Sequence, residues 1–296
     1  MRGVSHVSSM PVNAKQPKKV GLALGGGGAK GFAHIGVIRA LVRAGIGIDY
    51  IVGTSMGALV GGYYAATKNV ERLEALARRF DGKKFFPSRD VVRDRKGVFF
   101  RSEAVSHFLD EELHSKKIEN LEIPFVAIAT DAKNGDEIRI ADGNLVRAIQ
   151  ASAALPIVFS PVEHGGKLLI DGGLSNPVPA NVLRDMGAEY VIAVDVSSRW
   201  LSAPEQMVEV RDMYSIITNS FSVIEYQIGK EVLKHADIVL RPAVMRFEWM
   251  SFPHAAEIIE AGEREALTYL RDIRKGTGYK ASYRTPIERF IDFLFG

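Results

Sequence analysis

The chain has 296 residues, 47% of them hydrophobic and 25% charged, with no cysteine and a formal net charge of +3. A chain of this length buries enough apolar surface to hold a core unaided, and the absence of cysteine excludes disulfide scaffolds, thiolate zinc sites and thiol catalysis. The basic surplus sits at the ends, with Arg2, Lys15, Lys18 and Lys19 unopposed in the first twenty residues and six bases against three acids over 271–296. The body between is net acidic, which is not the footprint of a nucleic-acid platform.

No apolar run reaches the roughly 18–20 residues of a membrane-spanning helix. Residues 1–18, broken by Ser5, His6, Ser8, Ser9 and Pro11, lack a secretory-signal pattern and read as a disordered, solvated tail. Val20–Leu24 is a short β-rich run that stops at Gly25 to Gly28. A helical pattern follows, with Phe32, Ile35, Ile38, Ala40 and Leu41 on one face, and ends at Gly45 and Gly47. Tyr50–Val52 predicts a second strand that runs into Gly53-Thr54-Ser55-Met56-Gly57. A small-residue helix through Tyr64 and Ala66 and an amphipathic helix at Glu71–Arg79 come next. This β-α-β-α order argues for a parallel sheet between helices. Residues 81–101 set Phe85, Phe86, Phe99 and Phe100 among Lys83, Lys84, Arg89, Arg93, Arg95 and Lys96, a loop suited to a lid. Beyond it the patterns predict a helix at Glu103–Leu113, a strand at Phe125–Thr130, a hairpin turn at Lys133–Asp136 and a helix at Leu145–Ala153. A strand at Lys167–Ile170 then meets Asp171-Gly172-Gly173. A helix at Val178–Met186, a strand at Tyr190–Val196 and helical patterns near 208–234 and 254–274 around a strand at Asp237–Leu240 complete one domain. In Pro286–Gly296, Ile287, Phe290, Ile291, Leu294 and Phe295 share one face of a short basic helix. That face suits a membrane surface, a second subunit or the chain's own core.

Chemistry concentrates at three turns. Gly53-Thr54-Ser55-Met56-Gly57 follows a predicted strand and opens a helix, the context in which a nucleophilic serine sits exposed on a sharp turn under helix N-terminal amides. The same residues also fit a plain turn of small side chains. The run Gly25–Gly28 with Ala29-Lys30-Gly31 also lies between a strand and a helix. As a dinucleotide loop it lacks an acid at the end of the next strand, and as a phosphate-binding P-loop it has Phe32 where Lys is required. As an oxyanion hole it offers free amides at Gly26, Gly27 and Gly28 beside a serine. Asp171 ends a predicted strand ahead of two glycines. At the same sheet edge it could take the proton of Ser55, and elsewhere it is an ordinary turn aspartate.

The three motifs together resemble the bacterial patatin-like phospholipases. Gly26-Gly27-Gly28-Ala29-Lys30-Gly31 is similar to that family's oxyanion motif, Gly53-Thr54-Ser55-Met56-Gly57 to its nucleophile elbow, and Asp171-Gly172-Gly173 to its dyad element. Ala151-Ser152-Ala153-Ala154-Leu155-Pro156 and Pro177-Val178-Pro179 are similar to stretches flanking the aspartate. The likeness spans roughly residues 19–200. It implies a three-layer α/β/α sandwich with a mainly parallel central sheet. The patterns along the chain set the hydrolase domain at 19–275 and a basic amphipathic segment at 276–296, and the region beyond about 205 carries no such resemblance. It implies hydrolysis of a phospholipid, lysophospholipid or other fatty-acyl ester by a Ser55–Asp171 dyad, without histidine, metal or other cofactor. Lys30 would lend charge to the turn or meet a head group. The expected location is cytoplasmic, with peripheral contact to the inner membrane face, and an oligomer stays open. Two rivals remain. A Ser-Asp-His triad would need His235 or His254, since His164 precedes Asp171 and His34 reads as a core or capping residue. A non-catalytic adaptor could keep the fold and bind a partner.

Overall fold

In the computed structural model the described residues are 16–80, 92–94, 97–99, 109–113, 116–156, 158–197 and 213–280. The central strand, β1 (Val20–Leu24), is buried along its whole length, as a strand covered on both faces must be. It pairs in parallel with β2 (Tyr50–Thr54) on one edge and β9 (Tyr190–Val194) on the other. β10 (Ile238–Leu240) extends the sheet past β9, and β5 (Phe125–Asp131) extends it past β2, again in parallel. Alternate side chains face opposite layers. Val20, Leu22, Leu24, Tyr190, Ile192 and Val194 join the larger core, whereas Ala23, Val191 and Ala193 join the smaller one.

The larger layer holds α1 (Ala33–Arg43), α2 (Met56–Thr67), α3 (Val70–Arg79), α4 (Leu145–Ser152), α7 (Ala255–Thr268) and α8 (Leu270–Thr277). The smaller layer rests on α5 (Ala180–Asp185), whose Val182 and Leu183 pack on the sheet. Local chemistry sets the helix ends. α1 stops where Gly45 takes a left-handed conformation and the amides of Gly45 and Ile46 return to the carbonyls of Val42 and Leu41. Asn69 and Asn144 cap α3 and α4 by accepting the Arg72 and Arg147 amides at 2.7 and 2.8 Å, each worth about 1 kcal/mol.

Helix α7 lies directly on α1. A Cβ on Gly36 would stand 2.6 Å from the Glu263 nitrogen, and one on Gly262 2.7 Å from the Ala33 carbonyl carbon, so the two backbones touch. The same contact is tied by Arg39, only 8% exposed, which donates to Glu74 of α3 and Glu263 of α7 at 2.5 Å each. Removing one partner of such a buried ionic group costs about 3–5 kcal/mol.

The sheet departs from the parallel pattern where the site forms. β6 (Glu137–Ile140), β7 (Val162–His164) and β8 (Lys167–Asp171) are antiparallel additions. Ala127 and Ile128 of β5 pair with Gly53 and Thr54 and, across the strand, with Ile140 and Arg139. Ala129 and Thr130 pair with Asp171 and Ile170 and, across, with Ile138 and Glu137. A strand has two edges. β6 takes one, so β2 and β8 share the other, end to end and running toward each other.

Within 81–101, β3 (Val92–Asp94) and β4 (Gly97–Phe99) form a small antiparallel pair. The remainder of the expected lid, the first part of the 103–113 helix and the 286–296 face lie outside the described residues. The expected boundaries shift slightly. Lys18 donates its amide to the Thr277 carbonyl at 2.8 Å, Thr277 is buried and Tyr279 packs on the core, so the body runs past 275.

Candidate active site

Ser55 stands at the junction of β2 and α2 with φ 54° and ψ −120°. A side chain at positive φ is strained by roughly 1–3 kcal/mol and persists only where its surroundings fix it. They do so here by close packing. A Cβ on Gly53 would stand 2.5 Å from the Ala58 nitrogen, one on Gly57 2.8 Å from the Gly25 carbonyl oxygen, and one on Gly31 2.7 Å from Met56 Cβ. The Ser55 amide donates to Ser152 Oγ at 2.9 Å, and Thr54 Oγ1 donates to the Asn176 carbonyl at 2.8 Å. Ser55 caps no backbone amide of α2, which leaves its hydroxyl for other work.

Asp171 meets Ser55 from the opposite direction. The sequence placed it at the carboxyl ends of parallel strands. It instead ends the antiparallel β8, which brings it level with Ser55 because the two strands abut on β5. Only 3% exposed, its carboxyl accepts the Gly173 amide at 2.8 Å and has the Ser55 hydroxyl as its other hydrogen-bonding partner. Burial pushes its pKa up from 3.8 to about 6, against the opposing pull of those two hydrogen bonds. Gly172 packs with its Cα against the Ile128 backbone, and Thr130 Oγ1 donates to the Asp171 carbonyl at 2.8 Å, locking the turn to β5.

The glycine turn lies beside Ser55, with one correction. The Gly26 amide donates to the Pro177 carbonyl at 3.1 Å and is therefore spent. Among the described residues the amides of Gly27 and Gly28 have no protein acceptor. Gly26 keeps a spacing role, since a Cβ there would touch Ser55 Cβ at 3.4 Å. Gly28 needs its residue type twice over. Its φ is 58°, and a Cβ would stand 2.5 Å from the Trp249 carbonyl oxygen, which accepts the Ala29 amide at 2.7 Å. Behind the turn, buried His34 donates from Nε2 to the Gly25 carbonyl at 2.8 Å, while Nδ1 has no partner. Desolvation lowers its pKa to about 4, so the ring is a neutral brace.

A cavity of about 180 Å³ covers Ser55 and Asp171. Its apolar lining includes Met56, Leu59, Phe80, Leu155, Phe221 and Phe252, and its polar lining Lys30, Ser197, Ser222 and Glu225. Phe80 and Phe252 meet at a tilt of 53° with centroids 4.9 Å apart, and both set an edge against Phe32 of the glycine turn. Among the described residues no histidine lines this cavity. His254 instead meets Glu257 at 2.8 Å on the exposed surface, and the His235 carbonyl accepts from Arg184. Neither candidate base of the triad alternative is among the described residues that line the cavity.

Residues 22–184 match the family described as patatin-like phospholipase. This chain belongs to that family. An NTE family protein of Mycobacterium tuberculosis is 36% identical over 190 residues, covering 64% of this chain and 52% of the relative. Patatin-like phospholipase domain-containing protein 6 of Mus musculus is 31% identical over 271 residues, covering 82% of this chain and 20% of the relative. This patatin-like chain therefore spans about half the length of the mycobacterial relative and a fifth of the mouse one. Among solved structures, VipD from Legionella pneumophila aligns over 88% of this chain and 67% of its own at 14% identity, with a TM-score of 0.48. No helix among the described residues is long and apolar enough to cross a membrane.

The matched segment ends before the residues that sequence reasoning missed. α6 (Met213–Val232) carries Phe221, Ser222 and Glu225 into the cavity, and the loop after β10 brings Trp249 and Phe252. The second glycine of Asp171-Gly172-Gly173 was the available signal for Glu225. A Cβ on Gly173 would collide with Glu225 Oε1.

Proposed function

We propose that this chain hydrolyses fatty-acyl esters of lipids, as a phospholipase A, lysophospholipase or carboxylesterase, with Ser55 as nucleophile and Asp171 as base. The observation that carries this reading is the strained Ser55 hydroxyl set against a buried, basicity-raised Asp171 carboxyl under an apolar cavity. Ser55 Oγ attacks the ester carbonyl while Asp171 takes its proton. The Gly27 and Gly28 amides receive the developing oxyanion, helped by the N-terminal end of α2. Loss of the alcohol leaves an acyl-serine, and water deprotonated by Asp171 releases the fatty acid. An aspartate in water is too weak a base for this task, and burial to about 6 makes it competent near neutrality. The apolar wall takes the acyl chain, and the substrates are phospholipids, lysophospholipids or related esters met at a peripheral, cytoplasmic membrane face. No cofactor enters this scheme.

The test is labelling by a fluorophosphonate probe together with turnover of p-nitrophenyl, lysophospholipid and phospholipid esters. Wild type is expected to label and to turn over at least one class. Ser55→Ala is expected to abolish both with the melting transition intact. Full turnover by Ser55→Ala would overturn the assignment.

A further inference from the structure

Asp171 and Glu225 reach the same small space from different parts of the chain. The position that a Gly173 Cβ would take lies 3.2 Å from Asp171 Oδ1 and closer still to Glu225 Oε1. Two carboxyls this near in a desolvated site do not both ionise. Their surroundings decide which one keeps the proton. Asp171 accepts from the Gly173 amide and has the Ser55 hydroxyl beside it, both of which favour its charged form. Glu225 has no hydrogen-bond partner among the described residues and faces the cavity. The charged groups facing Glu225 are Asp171 on β8, Lys30 on the glycine turn and Asp195 at the end of β9, the last already turned toward Arg241 at 3.6 Å and the Ser197 amide at 3.0 Å. Only Lys30 favours the carboxylate of Glu225, and it does not outweigh burial and the two acids.

We propose that Glu225 is the general acid of the reaction, donating its proton to the departing alcohol oxygen. The role rests on the ester-hydrolase reading above. Glu225, Lys30 and Ser222 line the same cavity as Ser55, and the role requires the alcohol half of the ester to lie toward Glu225. In acylation the Ser55 proton passes to Asp171 and the Oγ–carbonyl bond forms. As the ester C–O bond breaks, the alcohol oxygen takes the Glu225 proton, and the carbonyl reforms on acyl-Ser55. Asp171 then holds a proton and Glu225 a charge. Transfer across the space at Gly173 restores both, so acylation consumes no net proton. The titration order agrees, with Asp171 near 6 and Glu225 pushed up from 4.5 to about 8 chiefly by burial. This division assigns the weaker acid to donation and the stronger to abstraction.

The test compares wild type and Glu225→Gln on esters of one fatty acid with alcohols of graded acidity, from p-nitrophenol through phenol to glycerol. The readout is kcat/KM, which reports acylation. Gln keeps the shape and can donate a hydrogen bond but cannot give up a proton. Glu225→Gln is expected to lose about 10²-fold or more on the glyceryl ester. The loss should shrink toward p-nitrophenol, which leaves unassisted, and the alkaline fall of the wild-type pH profile near 8 should disappear. Glu225→Asp should recover part of the glyceryl activity. An equal loss at every alcohol would make Glu225 a packing residue and overturn the role, as would no loss at any alcohol. Absence of Ser55-dependent hydrolysis in wild type would overturn the ester-hydrolase reading itself, and this role with it.

Discussion

Residues 20–67 and residues 213–277 furnish one cavity by different means. The first region delivers Ser55 and the glycine turn from the ends of buried parallel strands, where backbone geometry does most of the positioning. The second delivers Glu225, Trp249 and Phe252 from a helix and a loop and braces the first from outside. The Trp249 carbonyl holds the Ala29 amide, and α7 lies backbone to backbone on α1. The difference teaches that one cavity is lined from separate parts of the chain, only one of which falls within the family match.

The comparison breaks first at the base. Asp171→Asn should lower ester turnover by about 10³-fold or more with the fold retained, because the dyad acts as one unit. Near wild-type turnover would remove Asp171 from the chemistry. Next comes Gly28→Ala, where the added methyl presses on the Trp249 carbonyl and the left-handed backbone is lost. Displacing one oxyanion donor costs about 10²-fold, expressed in kcat rather than KM. A pure KM effect would locate the damage in substrate binding instead. Gly262→Leu tests the brace. Its side chain has no room against the Ala33 backbone, and a destabilisation of about 3 kcal/mol is expected by urea unfolding. If stability is unchanged while activity falls, α7 acts on the site without holding the fold.

Smaller effects follow from titration. kcat/KM should rise with pH through about 6 as Asp171 ionises, and Glu163→Gln at the far end of the β7–β8 hairpin should leave that limb in place. Asp171 also carries a stability cost with a definite sign. Its folded pKa lies above the unfolded 3.8, so the folded chain binds the extra proton between about 4 and 6 and loses stability as pH rises through that window. Asp171→Asn should therefore melt about 2–5 °C higher than wild type at pH 7. The gap should close below pH 4, and a lower melting point at pH 7 would contradict the assigned desolvation.

How much of this was legible depends on whether the signal was local. The Ser55 elbow and the glycine turn were, because their glycines sit a fixed few residues from strand and helix patterns. Asp171 was legible as a strand end. The direction of that strand was not, since β8 has the same composition whether it runs with β5 or against it. The loss of the Gly26 amide to Pro177 joins residues about 150 positions apart, which no local pattern encodes. Glu225 was hidden for a related reason. On α6 it reads like any glutamate of a mixed helix, and only its position opposite Gly173 marks it out. Lys30, expected near the turn, lines the cavity, whereas Glu225, which lines it too, was not foreseen.

The abutting of β2 and β8 on one edge of β5 makes that strand a measuring rule. Ser55 follows the residue paired with Ile128, and Asp171 pairs with Ala129, so the gap between these two residues is counted in residues of β5. Such a gap cannot be adjusted smoothly. A slip of one residue would move Asp171 by about 3.4 Å and turn its side chain to the other face of the sheet. The spacing of Ser55 and Asp171 is thus quantised by the pleat of a single strand.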